Sequence, residues 1–99
     1  MQYTGFDWDA GNAWKNEKHG VSTSEIEQVI LNVPLLLAPD VKHSRVEPRH
    51  HALGRTDEDR WLHITFTERG NGELIRPISA RPMNRKERAV YEQATQANP

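Results

Sequence analysis

A chain of 99 residues without cysteine is the size of one domain, and it offers neither a disulfide framework nor a thiolate for a metal site or a nucleophile. Its net charge of −1 argues against a protein that coats nucleic acid indiscriminately. There is no apolar run of membrane-span length, and the N-terminus lacks the pattern of a signal peptide, so we expect one domain over residues 1–99, in the cytoplasm.

Two helices are predicted in the N-terminal half. Asp9 can cap the first helix because its carboxylate accepts from free backbone amides, and Gly20 supplies a left-handed end. Ser22 and Glu25 have the spacing of a capping box, which predicts a second helix that ends at Pro34. The apolar positions of this helix recur every three or four residues: Ile26, Val29, Ile30 and Val33.

The rest of the chain predicts an antiparallel meander of about four strands and a C-terminal helix. After a short opening strand at 5–8, the strands are expected at 35–38, 50–55, 61–69 and 73–81. Pro77 cannot donate to a ladder, so the last strand is at an edge or is bulged there. Asn84 and Glu87 resemble the cap pair of a final helix. The expected fold class is therefore α+β.

Charge divides along the chain. Residues 1–41 carry six acids and two lysines, a net −4, whereas residues 42–91 carry eleven lysines and arginines and seven acids, a net +4. Because local potential steers binding, the second half is expected to meet an anionic partner.

RNA is an anionic partner that suits this composition on chemical grounds. Its 2′-hydroxyl is a built-in nucleophile, so a small nuclease needs only to remove that proton, hold the phosphate in line, neutralise the added charge and protonate the leaving oxygen, without a cofactor. Arginine suits the phosphate clamp because its planar fork binds bidentately. The candidates are Arg55, Arg69, Arg76 and Arg81. We favour Arg69 and Arg81, since a hairpin could bring their strands together at one phosphate.

Proton transfer has three candidates. His63 shares the non-core face of its strand with Thr65 and Arg69, and an unperturbed histidine pKa of about 6.5 suits acid–base work. Glu68 joins Arg69 only if a bulge re-aims it, because neighbouring strand residues point to opposite faces. His19 is the third candidate. The alternatives are a surface strand histidine for His63 and a hairpin salt bridge for Glu68.

A metal site is not expected. His50 and His51 are neighbours on a strand, so their side chains point to opposite faces and cannot chelate one ion together.

The chain resembles the BrnT family of toxins in several segments that follow one another in order. They are Phe6-Asp7-Trp8-Asp9, Asn16 to Ser22, Ala52 to Arg55, Thr67 to Gly70, Ile78 to Arg81, and Glu87-Arg88 through Tyr91-Glu92. The chain departs from the commoner pattern in a first helix that is one residue shorter, with Asn12 where a lysine is frequent.

The resemblance implies a RelE-like fold, a ribonuclease that uses no metal, and a partner antitoxin of the ribbon-helix-helix type (BrnA-like). DNA would be contacted only through that antitoxin. In this hypothesis Arg69 and Arg81 bind the phosphate, His63 or Glu68 moves protons, and four residues help to hold RNA: Arg55, Arg76, Lys18 and His19. The second hypothesis is a non-catalytic module that binds the antitoxin and acts with it as a co-repressor.

Overall fold

The computed structural model describes residues 3–17, 19–43 and 47–96. These residues form an α+β fold, as the sequence predicts. In chain order the elements are β1 (Gly5–Phe6), α1 (Ala10–Glu17), α2 (Thr23–Leu31), β2 (Leu36–Pro39), β3 (Arg49–Arg55), β4 (Trp61–Arg69), β5 (Leu74–Pro82) and α3 (Arg85–Gln96).

The strands form one mixed sheet in the order β1-β5-β4-β3-β2. The pairs from β2 to β5 are antiparallel, which confirms the predicted meander, but β1 pairs with β5 in parallel. The backbone amide of Asp7 donates to the carbonyl of Ile75 at 2.8 Å and completes this pairing. The sheet therefore has five strands and not about four. The opening strand was expected at 5–8, but its parallel pairing with β5 is a long-range contact that leaves no local sequence signal.

Two helix ends differ from the prediction. α1 ends at Glu17 rather than at Gly20, which follows as part of a turn with a positive φ of 72°. α2 begins with the expected capping box but ends at Leu31, before Pro34. Its C-cap, Asn32, has extended backbone, and the side-chain amide of Asn32 donates to the Arg55 carbonyl at 3.0 Å, which ties this end of the helix to β3.

α2 packs its apolar stripe on one face of the sheet. Ile26 and Val29 are fully buried there against the central strands. This core cluster consists of Val21, Ile26, Val29, Ile30, Ala52, Leu62, Ile64, Phe66, Ile75 and Ala80. Burial of this apolar surface is the main source of stability in a domain without disulfides.

At Gly54, α2 packs closely against the sheet. A Cβ at this position would lie 2.8 Å from the Cγ1 of Val29 and 3.2 Å from the Cδ1 of Leu35. We expect Gly54→Ala to lower the free energy of unfolding by about 1–3 kcal/mol through overpacking. Gly5→Ala is the matched control, because its Cβ would make only an ordinary contact, 3.6 Å from Leu74. Urea titration of both variants measures this, and equal effects would contradict the expectation.

The opposite face of the sheet is polar, and we call it the polar face. It carries the side chains of alternate residues of β4, of which His63, Thr65 and Thr67 are buried. α1 packs against β5 at one end of this face. α3 packs at the other end, where Tyr91 contacts the ring of Trp61 with 4.8 Å between ring centroids. Among the described residues, none of the helices is long and apolar enough to cross a membrane.

A bulge in β5 shapes the middle of the polar face. Thr65 pairs with Ser79 but the next residue, Phe66, pairs with Pro77, so β5 has one extra residue at this point. This confirms one of the two expectations for Pro77, and β5 is an interior strand. The side-chain amide of Asn12 donates to the Pro77 carbonyl at 3.0 Å and thereby fastens α1 to the bulge.

Candidate active site

Arg81 and Glu87 form a bidentate ion pair on the polar face. Both terminal nitrogens of Arg81 donate to the carboxylate of Glu87, at 2.7 and 2.9 Å. Glu87 also accepts from the backbone amide of Asn84, which in turn caps Glu87, so the start of α3 fixes the carboxylate. The hydrogen bonds from Arg81 have the largest effect and lower the pKa of Glu87. Burial raises it, but the bond from the Asn84 amide lowers it further, and the pKa falls to about 2.

His63 lies beside this pair. Its Nε2 is 3.8 Å from a carboxylate oxygen of Glu87, and Arg81 occupies the directly opposite position on β5. Only 9% of His63 is exposed, so the alternative of a surface histidine is wrong. Burial lowers the pKa of His63, and nearby Arg81 acts in the same direction. Both effects favour the neutral imidazole, the form in which it can accept a proton.

His51 stands next to His63 on the neighbouring strand. The centroids of the two rings are 4.8 Å apart. His51 is held by two contacts, Nε2 at 3.1 Å from a carboxylate oxygen of Asp40 and Nδ1 at 3.2 Å from the hydroxyl of Thr65. Both nitrogens of His51 are thus engaged, whereas the Nε2 of His63 has a carboxylate only at 3.8 Å.

A groove of about 560 Å³ opens beside His63, between β2 and α3. His51, His63 and Glu87 contribute its polar groups, and its remaining walls are apolar. The apolar lining consists of Leu35, Leu36, Leu37, Ala38, Leu53 and Val90. The groove gives a molecule from solvent a path to His63.

A second group of charges lies at the α1 end of the polar face. Arg76 reaches the carboxylates of Asp7 at 3.4 Å and Asp9 at 2.9 Å, and Arg69 forms an ion pair with Glu47. A smaller cleft of about 250 Å³ is lined by residues of this region: Gly11, Asn12, Glu47, Arg49, Arg76, Pro77 and Ile78. The polar face therefore carries guanidinium groups at both of its ends.

The expected meeting of Arg69 and Arg81 at one phosphate is wrong. Arg81 of β5 is paired with His63 of β4. His63 lies six residues along β4 from Arg69, which corresponds to roughly 20 Å at about 3.3 Å per residue. In an antiparallel hairpin, residues equally distant from the turn face each other. Arg69 adjoins the turn and pairs with Leu74, whereas Arg81 lies at the far end of the hairpin.

Glu68 points to the core side of the sheet, away from Arg69. The bulge is in β5 and not in β4, so it does not re-aim this carboxylate. Glu68 instead accepts from the hydroxyl of Tyr3 at 3.0 Å and lies 3.3 Å from Nε2 of His50. Burial first, then the bond to Glu68, raises the pKa of Tyr3 to about 12. This cluster is separate from the polar face, and it replaces the hairpin salt bridge considered for Glu68.

The other predicted RNA-binding residues are dispersed. Arg55 is exposed at the end of β3, 3.9 Å from a carboxylate oxygen of Asp59. His19 is exposed in the turn after α1, and Lys18 lies outside the described residues. Of the three members of this set that the structure describes, Arg76 alone belongs to a charge cluster of the polar face. Within the described ranges, no group of three His, Asp or Glu side chains is arranged to hold a metal ion.

The model of a protein family described as the ribonuclease toxin BrnT of type II toxin-antitoxin systems matches residues 8–87. The chain belongs to the BrnT family. The family implies an antitoxin as partner. A search of curated proteins gives no match.

In this BrnT toxin, the sequence did not predict a place in the site for three carboxylates of the polar face: Asp40, Glu47 and Glu87. Glu87 was noticed only as the partner of Asn84 in a helix cap, and its position beside Arg81 follows from the way α3 returns onto the end of β5. The cap spacing was a usable signal for its orientation. Asp40 and Glu47 meet His51 and Arg69 through long-range packing, for which the sequence offers no local sign.

The low pKa of Glu87 gives this BrnT toxin an acid-sensitive contact. Its folded pKa of about 2 lies below the ordinary 4.5, so the stabilisation is complete above pH 4.5 and is lost as the pH falls towards 2. We expect Glu87→Gln to remove about 1–2 kcal/mol of pH-dependent stability over this window, after allowance for solvent screening.

Urea unfolding of the two proteins at several pH values measures this difference. The control is Glu73→Gln, which changes an exposed carboxyl near the hairpin turn and should keep the wild-type pH dependence. A Glu87→Gln protein with the same acid sensitivity as the wild type would contradict the expectation.

Proposed function

We propose that this BrnT chain is an endoribonuclease that cleaves RNA without a metal ion and so inhibits translation. His63 removes the proton from a 2′-hydroxyl, and the resulting oxygen attacks the adjacent phosphorus. Arg81 neutralises the charge that develops on the phosphate. The bond to the 5′-oxygen then breaks, that oxygen takes a proton from solvent, and the products end in a cyclic phosphate and a 5′-hydroxyl.

The observation that carries this proposal is the position of the buried His63, which lines the groove, directly opposite Arg81 in the pairing of β4 with β5. Burial lowers the pKa of His63 and so favours the neutral imidazole that a base needs. Arg81 has a half-exposed side chain, and its bonds to Glu87 and to the Pro82 carbonyl leave two of its five N–H donors for a phosphate. Proton transfer and charge neutralisation can therefore act on the same phosphodiester.

The α1 end of the polar face supplies a second contact to the same RNA strand. Arg76 is paired with Thr67 and Arg81 with His63, so the backbone positions of the two arginines are about 13 Å apart along β4. This spacing supports binding of a second phosphate of the strand by Arg76 while Arg81 binds the phosphate at the cleaved bond. Arg69 and Arg76 are thus proposed as RNA-holding residues, and Arg55, Lys18 and His19 as outlying contacts. Glu68 receives no role, because it faces the core side.

Other finer features of the toxin follow from the resemblance. We propose a RelE-like fold, which the order of two helices, an antiparallel meander and a C-terminal helix supports. We also propose a ribbon-helix-helix antitoxin, which would provide the only contact with DNA, and action in the cytoplasm, where translation occurs.

The non-catalytic co-repressor remains the second candidate. It is favoured by the ion pairs that Arg69, Arg76 and Arg81 already make, since a phosphate must compete with a carboxylate for each of them. Expression of the chain without its antitoxin distinguishes the two. Growth arrest that is lost in Arg81→Ala supports the nuclease, and normal growth with intact RNA supports the co-repressor.

The biochemical test is incubation of the purified chain with defined RNAs in the presence of a metal chelator. The proposal expects cleavage at discrete sites, with the same pattern when magnesium replaces the chelator. RNA that stays intact at a large excess of protein would contradict the proposal.

A further inference from the structure

His51 is a second imidazole at the groove, and it has no part in the proposed steps of cleavage. It lines the groove together with His63 and Glu87, and its side chain is 35% exposed. Cleavage needs a proton for the leaving 5′-oxygen as well as a base for the 2′-hydroxyl. Among the titratable groups that line the groove in the described part of the chain, the pKa of Glu87, at about 2, leaves its carboxylate without a proton at neutral pH. With His63 as the base, His51 is the group that remains.

Asp40 fixes which nitrogen of His51 can exchange a proton. The backbone amide of Asp40 donates to the Arg49 carbonyl at 2.8 Å, which extends the pairing of β2 with β3 by one residue. The Asp40 side chain is only 7% exposed, and its carboxylate lies 3.1 Å from Nε2 of His51. A carboxylate at this distance accepts a ring N–H, so Nε2 keeps its proton and Nδ1 is the nitrogen that gains and loses one.

The Nδ1 of His51 points to the middle of the polar face. It lies 3.2 Å from the hydroxyl of Thr65, which is directly opposite His51 in the pairing of β3 with β4. A hydroxyl can donate to a bare ring nitrogen and accept from a protonated one, so this contact suits both states of His51. Thr65 follows His63 by two residues on the same face, about 7 Å along β4. The attacking and leaving oxygens of an in-line displacement lie on opposite sides of phosphorus, which requires a proton acceptor and a proton donor at separate places.

We propose that His51 is the general acid of the cleavage. Its protonated Nδ1 gives a proton to the 5′-oxygen as the bond from that oxygen to phosphorus breaks, and the bonding electron pair stays on the oxygen. The leaving oxygen takes the place of the Thr65 hydroxyl as the acceptor of this proton. His51 is then neutral, His63 carries the proton of the 2′-hydroxyl, and exchange with solvent restores both imidazoles. His51 is thus the route by which a solvent proton reaches the leaving oxygen. This inference rests on the proposed nuclease function.

Two imidazoles with opposite tasks give the rate two limits in pH. The charged groups that face the two rings come from each neighbouring element: Asp40 after β2, Arg49 of β3, Arg81 of β5 and Glu87 of α3. The active form has His63 neutral and His51 protonated. The rate should therefore fall at low pH, when His63 gains a proton, and at high pH, when His51 loses its proton.

The test compares two forms of one defined RNA, one with the ordinary 5′-oxygen at the main cut and one with sulfur in its place. A thiol has an ordinary pKa of about 8.5, so a thiolate leaves without a proton, whereas an alkoxide needs one. We expect His51→Asn to cut the oxygen form about 10²-fold or more slowly than the wild type, and to cut the sulfur form at nearly the wild-type rate. His63→Asn should be slow on both forms, because the 2′-hydroxyl must still lose its proton.

His50→Asn is the matched control, because it makes the same change one residue earlier, on the core face of β3. It should cut both forms at the wild-type rate. Thermal unfolding shows whether each variant is folded. If His51→Asn does not fold, the wild type decides the matter, since its fall in rate at high pH should be present with the oxygen form and absent with the sulfur form.

A folded His51→Asn that cuts the oxygen form at the wild-type rate would overturn the role of His51. An equal loss on both forms would do so too, because that is the result of a merely structural role, as would a fall at high pH that the wild type shows equally with both forms. In these cases the nuclease function stands. Wild-type protein that leaves the oxygen form intact would overturn the nuclease function, and the role of His51 with it.

Discussion

Arg81→Ala is expected to slow RNA cleavage by about 10²–10³-fold, the effect of losing one preorganised donor to a developing charge. The loss should appear mainly in kcat, because the proposed interaction strengthens as the phosphate gains charge. Arg81→Lys keeps the charge but not the planar fork, so it should recover only part of the rate. Single-turnover cleavage of a defined RNA measures these rates.

The control for this variant is Arg60→Ala. Arg60 also forms an ion pair, at 3.0 Å with Glu25, and it has a similarly exposed side chain, but it lies beside α2 and away from the groove. Arg60→Ala should therefore cleave RNA at the wild-type rate. Equal losses in Arg60→Ala and Arg81→Ala would show that the effect comes from general charge or stability, and would contradict the assigned role.

His63→Asn is expected to lower the rate of cleavage by about 10²–10⁴-fold, the usual contribution of a general base. The wild-type rate should also fall as the pH drops below the pKa of His63, which burial holds below its ordinary 6.5. Protonated imidazole cannot accept the 2′-hydroxyl proton, so the loss occurs on the acid side. The residual activity of His63→Asn should lack this dependence.

His50→Asn is the matched variant for His63. His50 lies on the core side of the sheet and stacks on Phe66 with 5.2 Å between ring centroids, so its loss affects stability but not the proposed proton transfer. A pH–rate profile and a thermal unfolding curve separate the two effects. An acid limb that persists in His63→Asn would assign the titrating group to another residue.

Local signals in the sequence predicted most of the secondary structure. The capping pairs at Ser22 and Asn84, and the strand 61–69, are present as expected. Pro77 lies at a bulge, since a residue without an N–H disrupts the ladder wherever it occurs. These features depend on a few neighbouring residues, which is why they can be read from the chain.

The candidate site was predicted only in part, because it depends on register and on long-range packing. The alternation in β4 correctly placed His63 and Arg69 on the face away from the core, and it placed Glu68 on the opposite face from these two residues. The register of the hairpin, however, decides that Arg81 meets His63 and not Arg69. The contact of Glu87 with Arg81 further requires α3 to fold back on the sheet, which no local pattern specifies.

The central claim, that RNA supplies its own nucleophile at the polar face, is tested most directly by a single 2′-deoxy substitution. A defined RNA is first cleaved by the purified chain in chelator, and the nucleotide 5′ to the main cut is then replaced by its 2′-deoxy form. We predict that cleavage at this bond is abolished while cuts elsewhere in the same RNA continue. Unchanged cleavage at the substituted bond would contradict the account.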